Sequence, residues 1–171
     1  MHTRAHIQAA TENRDLAEEA FHILHYNQEL VQFADNKAGT LIVINSLFIA
    51  AVQALRTENS MLSAVGSAAV VLGALAIFFC FSVVTTRFEA PLNPRNDLIF
   101  FADITKRSSP EQYAAEFFST QGAVCVEDTL RRAYVVASIA QRKFAAYGTA
   151  QFMTGLAGAV WVLANVLNLA L

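Results

Sequence analysis

The chain has 171 residues, 55% of them hydrophobic and only 15% charged, with a formal net charge of −2. Water-soluble domains average about 25% charged residues, and the mean hydropathy here is +0.39. Nearly every charge lies in Met1–Lys37 or Arg87–Lys143; that excludes a large independent soluble domain, since the polar remainder comes in two short pieces.

In chain order, residues 1–13 are expected to fray. From about Arg14 a helix begins, because Leu16, Ala20, Ile23, Asn27, Leu30, Val31 and Ala34 recur at helical spacing, with Glu18, Glu19, His22, Gln28, Glu29 and Asn36 supplying polar positions. No Gly or Pro interrupts it before Gly39. One continuous helix over about 14–56 is predicted, with residues 1–37 as an amphipathic extension. The apolar stretch that follows, Ala38–Leu55, is 18 residues without a charge, and the span is placed at 38–56. Thr57-Glu58-Asn59-Ser60 reads as a tight turn into a second stretch, Ser60–Thr86, of 27 residues without a charge. The two should form an antiparallel hairpin, with the second span over 60–86.

Pro91 and Pro94 force the chain out of helical geometry after Arg87. Leu98–Ala102 is a short apolar run, read as either a small strand or a patch lying on a membrane surface. Ser109-Pro110-Glu111 is a helix start: a Ser cap, Pro at the first position and an acid in the first turn. That helix is predicted over 110–119, ending near Gly122. A long last helix is expected from about Glu127, entering the third stretch, Phe144–Leu171, of 28 residues without a charge. Residues 87–143 thus form a small helical subdomain between the second and third spans.

At 1.5 Å per residue, each uncharged stretch reaches across roughly 30 Å of hydrocarbon, which takes about 20 apolar residues. The fold class that follows is an all-α membrane protein with three transmembrane helices and long cytoplasmic helical extensions. Eleven of the 12 basic residues fall before the first span or between the second and third, Arg56 being the exception. The positive-inside rule therefore places the N-terminus in the cytoplasm and the C-terminus outside. The opening residues are polar where a cleavable signal would be apolar, and the tail leaves sensing to the cytoplasmic side. Small residues line the second span (Gly66, Ser67, Ala68, Ala69, Gly73) and the third (Gly148, Ala150, Gly155, Gly158, Ala159). Such residues let helix backbones approach in lipid. Three helices make a thin bundle, so a homo-oligomer is expected.

The most individual segment is Phe33–Asn45. Asp35 and Lys37 lie at the cytoplasmic mouth of the first span, and Asn45 about two turns deeper. A polar group in hydrocarbon needs a partner or water. Asn45 must face a neighbouring helix or a pore, and the three residues are read either as gating elements or as helix glue and an interfacial anchor. Lys106, Arg107, Arg131, Arg132 and Arg95 are the candidate phosphate-binding cations, since a guanidinium fork suits phosphate oxygens. Arg142 and Lys143 read equally as topology anchors. His22 and His25, with Glu18 and Glu29 four residues away, have spacing that could hold a metal, but on a solvated helix they are not assigned one. Cys80 and Cys125 are read as reduced thiols. No glycine-rich phosphate loop, GxSxG or HExxH occurs, so no catalysis is expected. Ionisable groups are missing from mid-membrane, which disfavours a proton-coupled transporter, whereas a channel needs none.

The run Phe33-Ala34-Asp35-Asn36-Lys37-Ala38 followed by Ile42-Val43-Ile44-Asn45-Ser46, then Asn96–Ile104, Ser109–Tyr113 and Lys143-Phe144, resembles the Pycsar-effector transmembrane family. The resemblance covers about residues 16–165 and includes the effectors of Hailong-type antiphage systems. It implies an antiphage effector of the bacterial inner membrane, in which a cyclic nucleotide or oligonucleotide from a partner cyclase or nucleotidyltransferase controls membrane disruption and growth arrest. This chain departs from one Pycsar pattern in having no room for a separate cyclic-nucleotide-binding domain, so a ligand would bind the module or its oligomer. The expected function is a homo-oligomeric, nucleotide-controlled channel or pore without a resident cofactor. The alternative is a structural or adaptor membrane protein that docks a cytoplasmic protein.

Overall fold

The computed structural model describes the backbone of residues 2–54, 60–85, 98–120 and 122–170, and the side chains of 15–53, 60–85, 98–120 and 122–169. Every regular element among these is helical: α1 His2–Ala54, α2 Ser60–Val84, α3 Phe101–Ile104, α4 Pro110–Ser119 and α5 Gly122–Ala170. The turn expected at Thr57–Asn59 and the segment holding Pro91, Pro94 and Arg95 lie outside the described residues.

Two local expectations are corrected, and one of two alternatives left open for a third segment falls away. Helix α1 starts at His2 rather than near Arg14, because no Gly or Pro precedes Gly39 and nothing in the first residues forces the helix to stop. Helix α5 starts at Gly122, not near Glu127; Gly122 opens the helix instead of closing the previous one. Leu98–Ala102 is no strand. Leu98 and Ile99 form a bend, and Phe101 begins the one-turn α3. Periodicity in five residues could not separate these outcomes; Leu98 is buried and its carbonyl accepts from the Tyr113 hydroxyl. Helix α4 spans Pro110–Ser119 as its start signal indicates: Ser109 is extended, and its hydroxyl accepts from the Gln112 N–H.

The described residues fall into two compact units. One comprises Met1–Leu30 and Phe88–Ile139, the other Val31–Arg87 and Ala140–Leu171. In the first, Ala20 and Leu24 of α1, Leu98, and Thr129, Ala133 and Val135 of α5 are buried. The Tyr113 hydroxyl donates to the Leu98 carbonyl at 3.0 Å, tying α4 to the bend before α3.

The second unit is a bundle of the C-terminal parts of α1 and α5 with α2. Its buried positions repeat at alternating steps of three and four on α2, Leu62, Gly66, Ala69, Gly73, Ala76, Cys80 and Val83, and at steps of three, four or their sum of seven on α5, Ala140, Lys143, Ala150, Thr154, Ala157 and Ala164. Ala34, Ala38, Asn45 and Val52 continue the pattern on α1. This is a 3.5-residue seam, the repeat that lets helices stay in contact by supercoiling. Most seam residues are small, so backbones approach closely. A methyl group added at Gly66 would meet Val52 at 3.1 Å, and one at Gly73 would meet Ile49 at 3.2 Å. Phe48 stacks on Trp161 with ring centroids 5.6 Å apart and lies against Gly158.

Large apolar side chains point the other way. Val43 and Leu47 on α1, Val71, Phe78 and Phe81 on α2, and Phe152, Leu163 and Val166 on α5 are all exposed. Small residues inside and large ones outside is the reverse of a water-soluble core, which exposes no apolar surface of this extent. Two described helices are long and apolar enough to cross a membrane: Ser60–Val84, with mean hydropathy 2.5, and Gly122–Leu169, with 1.6. Only 28% and 11% of their apolar windows are buried, unlike the core helix of a soluble protein. The stretch Ala38–Leu55 ends at Leu55, outside the described residues.

Candidate functional site

Two polar groupings interrupt the apolar second unit. The first lies where α1, α2 and α5 meet. Lys143 is buried, and its ammonium donates both to Asp35 Oδ1 of α1 and to the Val83 carbonyl of α2 at 2.6 Å. Val83 is in the last turn of α2, where helix carbonyls lack intrahelical partners and the dipole is negative. One cation thus answers a carboxylate on one helix and a last-turn carbonyl on another. The contact closes over Ala34, Ala38, Cys80, Val83 and Ala150, an apolar cluster flanked by Phe144 and Tyr147. The Lys143 side chain is 9% exposed and that of Asp35 34%, so removing Asp35 leaves a buried ammonium and costs more than removing Lys143.

Asp35 and Lys37 take opposite roles because residues two apart on a helix point to different faces. Asp35 turns toward α5. Lys37 is exposed and sits 5.2 Å over the Phe33 ring, while Phe33 itself stacks on Phe144 at 6.3 Å.

The second grouping is deeper. Asn45 is fully buried, and its Nδ2 donates to the Leu41 carbonyl and to Thr154 Oγ1, each at 2.8 Å. The Thr154 hydroxyl in turn donates a hydrogen bond to the Ala150 carbonyl at 2.9 Å. Asn45 Oδ1 is buried with no hydrogen-bond partner. The carboxamide therefore faces a neighbouring helix, the first of the two options the sequence left open, and it keeps one unused acceptor.

The described members of the predicted phosphate-binding set, Lys106, Arg107, Arg131 and Arg132, lie in the other unit. Lys106 is about half exposed and pairs with the buried Asp103. The Arg107 side chain is 2% exposed; its Nε donates to Glu116 at 2.9 Å, another guanidinium nitrogen donates to the Asp103 carbonyl, and the group lies 5.6 Å from the Tyr113 ring. Glu116, held by Arg107 and then by Gln112, titrates below the usual carboxylate range. Arg131 is half exposed and pairs with Glu127 one turn earlier. Arg132 places its guanidinium carbon 3.5 Å over the Phe100 ring. Arg95 is outside the described residues. Each imidazole of the candidate metal motif meets its own glutamate, His22 with Glu18 at 4.0 Å and His25 with Glu29 at 3.4 Å.

Sequence reasoning missed Lys143, which it read as a possible anchor. The signal was present in part: a lone carboxylate at the mouth of an apolar helix requires a cation. Thr154, an uncharged polar residue of the last span, carries no such signal.

Helices that hide small and polar residues and present large apolar ones define a helical membrane protein. A family model described as the Pycsar effector protein domain matches residues 19–169, and the chain belongs to that family. No curated protein and no solved structure matches it.

Proposed function

We propose that this chain is an antiphage defence effector that forms a nucleotide-controlled channel or pore in the bacterial inner membrane. The polar seam between α1 and α5 carries the reading. Asn45, Thr154, Asp35 and Lys143 face inward within helices whose outer faces are apolar, and family membership supplies the defence context. In this reading the chain crosses the membrane three times, at 38–56, 60–86 and 144–171, with residues 1–37 and 87–143 in the cytoplasm. Several copies surround the conducting path, since three helices with small-residue seams enclose no pore of their own. Asp35, Lys37 and Asn45 set the closed–open balance. A ligand moves that balance only by its difference in affinity for the two states.

The signal is a cyclic nucleotide or oligonucleotide made by a partner cyclase or nucleotidyltransferase. Lys106 and Arg131 are accessible to it, and Arg107, Arg132 and Arg95 complete the proposed set. The test is purified protein in planar bilayers with and without cyclic nucleotides and short oligonucleotides. Nucleotide-dependent current is expected. Its absence in every nucleotide class sinks the reading.

One observation favours a second reading, a membrane adaptor that docks a cytoplasmic protein. On α4, Phe117 is 45% exposed and Phe118 85%, an apolar edge open to a partner. Phe118→Ser would abolish partner capture and leave conductance unchanged if docking is the function; loss of nucleotide-dependent conductance in this variant counts against the adaptor.

A further inference from the structure

We infer that Lys143 is a latch residue: its shared contact with Asp35 and the Val83 carbonyl holds the mouth of the three-helix unit closed in the resting state. The inference rests on the channel reading above and adds to it a residue, a bond and a direction. Lys143 is an unusual ammonium for a membrane anchor. An anchoring lysine sends its head group to water along a flexible stem. Here the head group turns inward, where the side chain is 9% exposed, and both of its described partners belong to other helices.

The two contacts are not equivalent. Asp35 supplies charge, and Val83 supplies a backbone carbonyl in the last turn of α2. Lys143 joins both, so its withdrawal removes the polar ties from α5 to α1 and to α2 at this mouth in one step, while the deeper Asn45–Thr154 bond remains. Below the latch, Cys80 lies one turn before Val83, fully buried among Ala34, Ala38 and Ala150. Its thiol is a built-in reporter: water reaches Cys80 only when the helices above it part.

A latch and a merely structural ion pair respond differently to removing both charges. Neutralising Asp35 strands the buried ammonium and destabilises the fold; neutralising Lys143 leaves a carboxylate that is one-third exposed and costs less. Neutralising both removes the stranded charge, so stability returns. A latch is still missing from the double variant, whereas a structural pair has no further role there.

The test compares wild type, Asp35→Asn, Lys143→Met, Lys143→Arg and the combined Asp35→Asn/Lys143→Met chain, all with Cys125→Ser, in proteoliposomes. Thermal midpoint, resting potassium flux and the rate at which a membrane-impermeant maleimide modifies Cys80 are read without nucleotide. The combined variant should regain most of the stability lost by either single change. It should nevertheless label Cys80 at least tenfold faster than wild type and leak at least tenfold more. Lys143→Arg, which keeps charge and donors, should stay close to wild type. Wild-type labelling and flux in the combined variant overturn the inference, whatever the single variants do. The two readouts also separate it from the channel reading. Faster labelling without current in any variant or nucleotide sinks the channel and leaves the latch. Nucleotide-gated wild-type current with unchanged labelling sinks the latch and leaves the channel.

Discussion

Asn45 of α1 and Thr154 of α5 are 109 residues apart in sequence, yet the carboxamide of one donates to the hydroxyl of the other at 2.8 Å inside an apolar bundle. Thr154→Val removes the acceptor and leaves an Asn45 N–H unanswered. A loss of about 0.5–2 kcal/mol is expected, the range of interhelical hydrogen bonds in membranes. Asn45→Leu removes both the bond and the unused Oδ1, so it should cost less than Thr154→Val. Thermal unfolding in detergent ranks the two, and the opposite order contradicts the bonding scheme.

The glycines of the spans divide into two groups. Gly66 and Gly73 sit against Val52 and Ile49, whereas a methyl group added at Gly148 or Gly155 meets nothing within 4 Å. Gly73→Leu should force α1 from α2 and lower stability by about 1–3 kcal/mol, as overpacking does. Gly148→Leu and Gly155→Leu should leave the thermal midpoint of the single chain unchanged. If their open faces pack copies together in the membrane, these two variants shift the assembly to smaller species on native mass spectrometry. Unchanged assembly places the contact between copies elsewhere.

Glu116 should titrate below its ordinary range because the Arg107 guanidinium, and then the Gln112 amide, hydrogen-bond its ionised form. The sign follows from linkage. A carboxyl depressed by folding stabilises the fold above its unfolded value, about 4.3 for Glu, and loses that contribution as pH falls through the depressed value. Carboxyl NMR titration should place Glu116 below a free glutamate, and Arg107→Gln should return it toward the ordinary range. A midpoint unmoved by Arg107→Gln removes the pair from the account of this unit.

Neutralising Lys106, Arg107, Arg131 and Arg132 together should weaken nucleotide binding and flatten its salt dependence, because each cation–phosphate contact releases counterion. Lys106→Gln and Arg131→Gln are the informative single changes, since their side chains are 53% and 49% exposed. Arg107→Gln tests the fold as well as the ligand. Fluorescence anisotropy with labelled cyclic nucleotides and oligonucleotides across a salt series reads the effect; an unchanged slope in the quadruple variant dismisses the ligand set.

The sequence by itself determined that the chain is helical, where α4 starts, which stretches are apolar enough for lipid, and which family it resembles. These follow from local rules: a Ser cap before Pro, periodicity over many residues, and long runs without charge. The 3.5-residue seam of α2 was also written there, as small residues spaced three and four apart, although composition rather than spacing drew the eye to them.

Only the tertiary structure decided what each polar residue does. Asp35 and Lys37 look alike as motif charges, but the helix turns one toward α5 and the other to the surface. Lys106-Arg107 is one basic pair in sequence, yet Arg107 is enclosed by Glu116, Tyr113 and the Asp103 carbonyl while Lys106 stays half open. Lys143 reads as an anchor until its partner appears 108 residues away. Burial and pairing depend on which helix faces meet, and no local pattern encodes contacts between such distant segments.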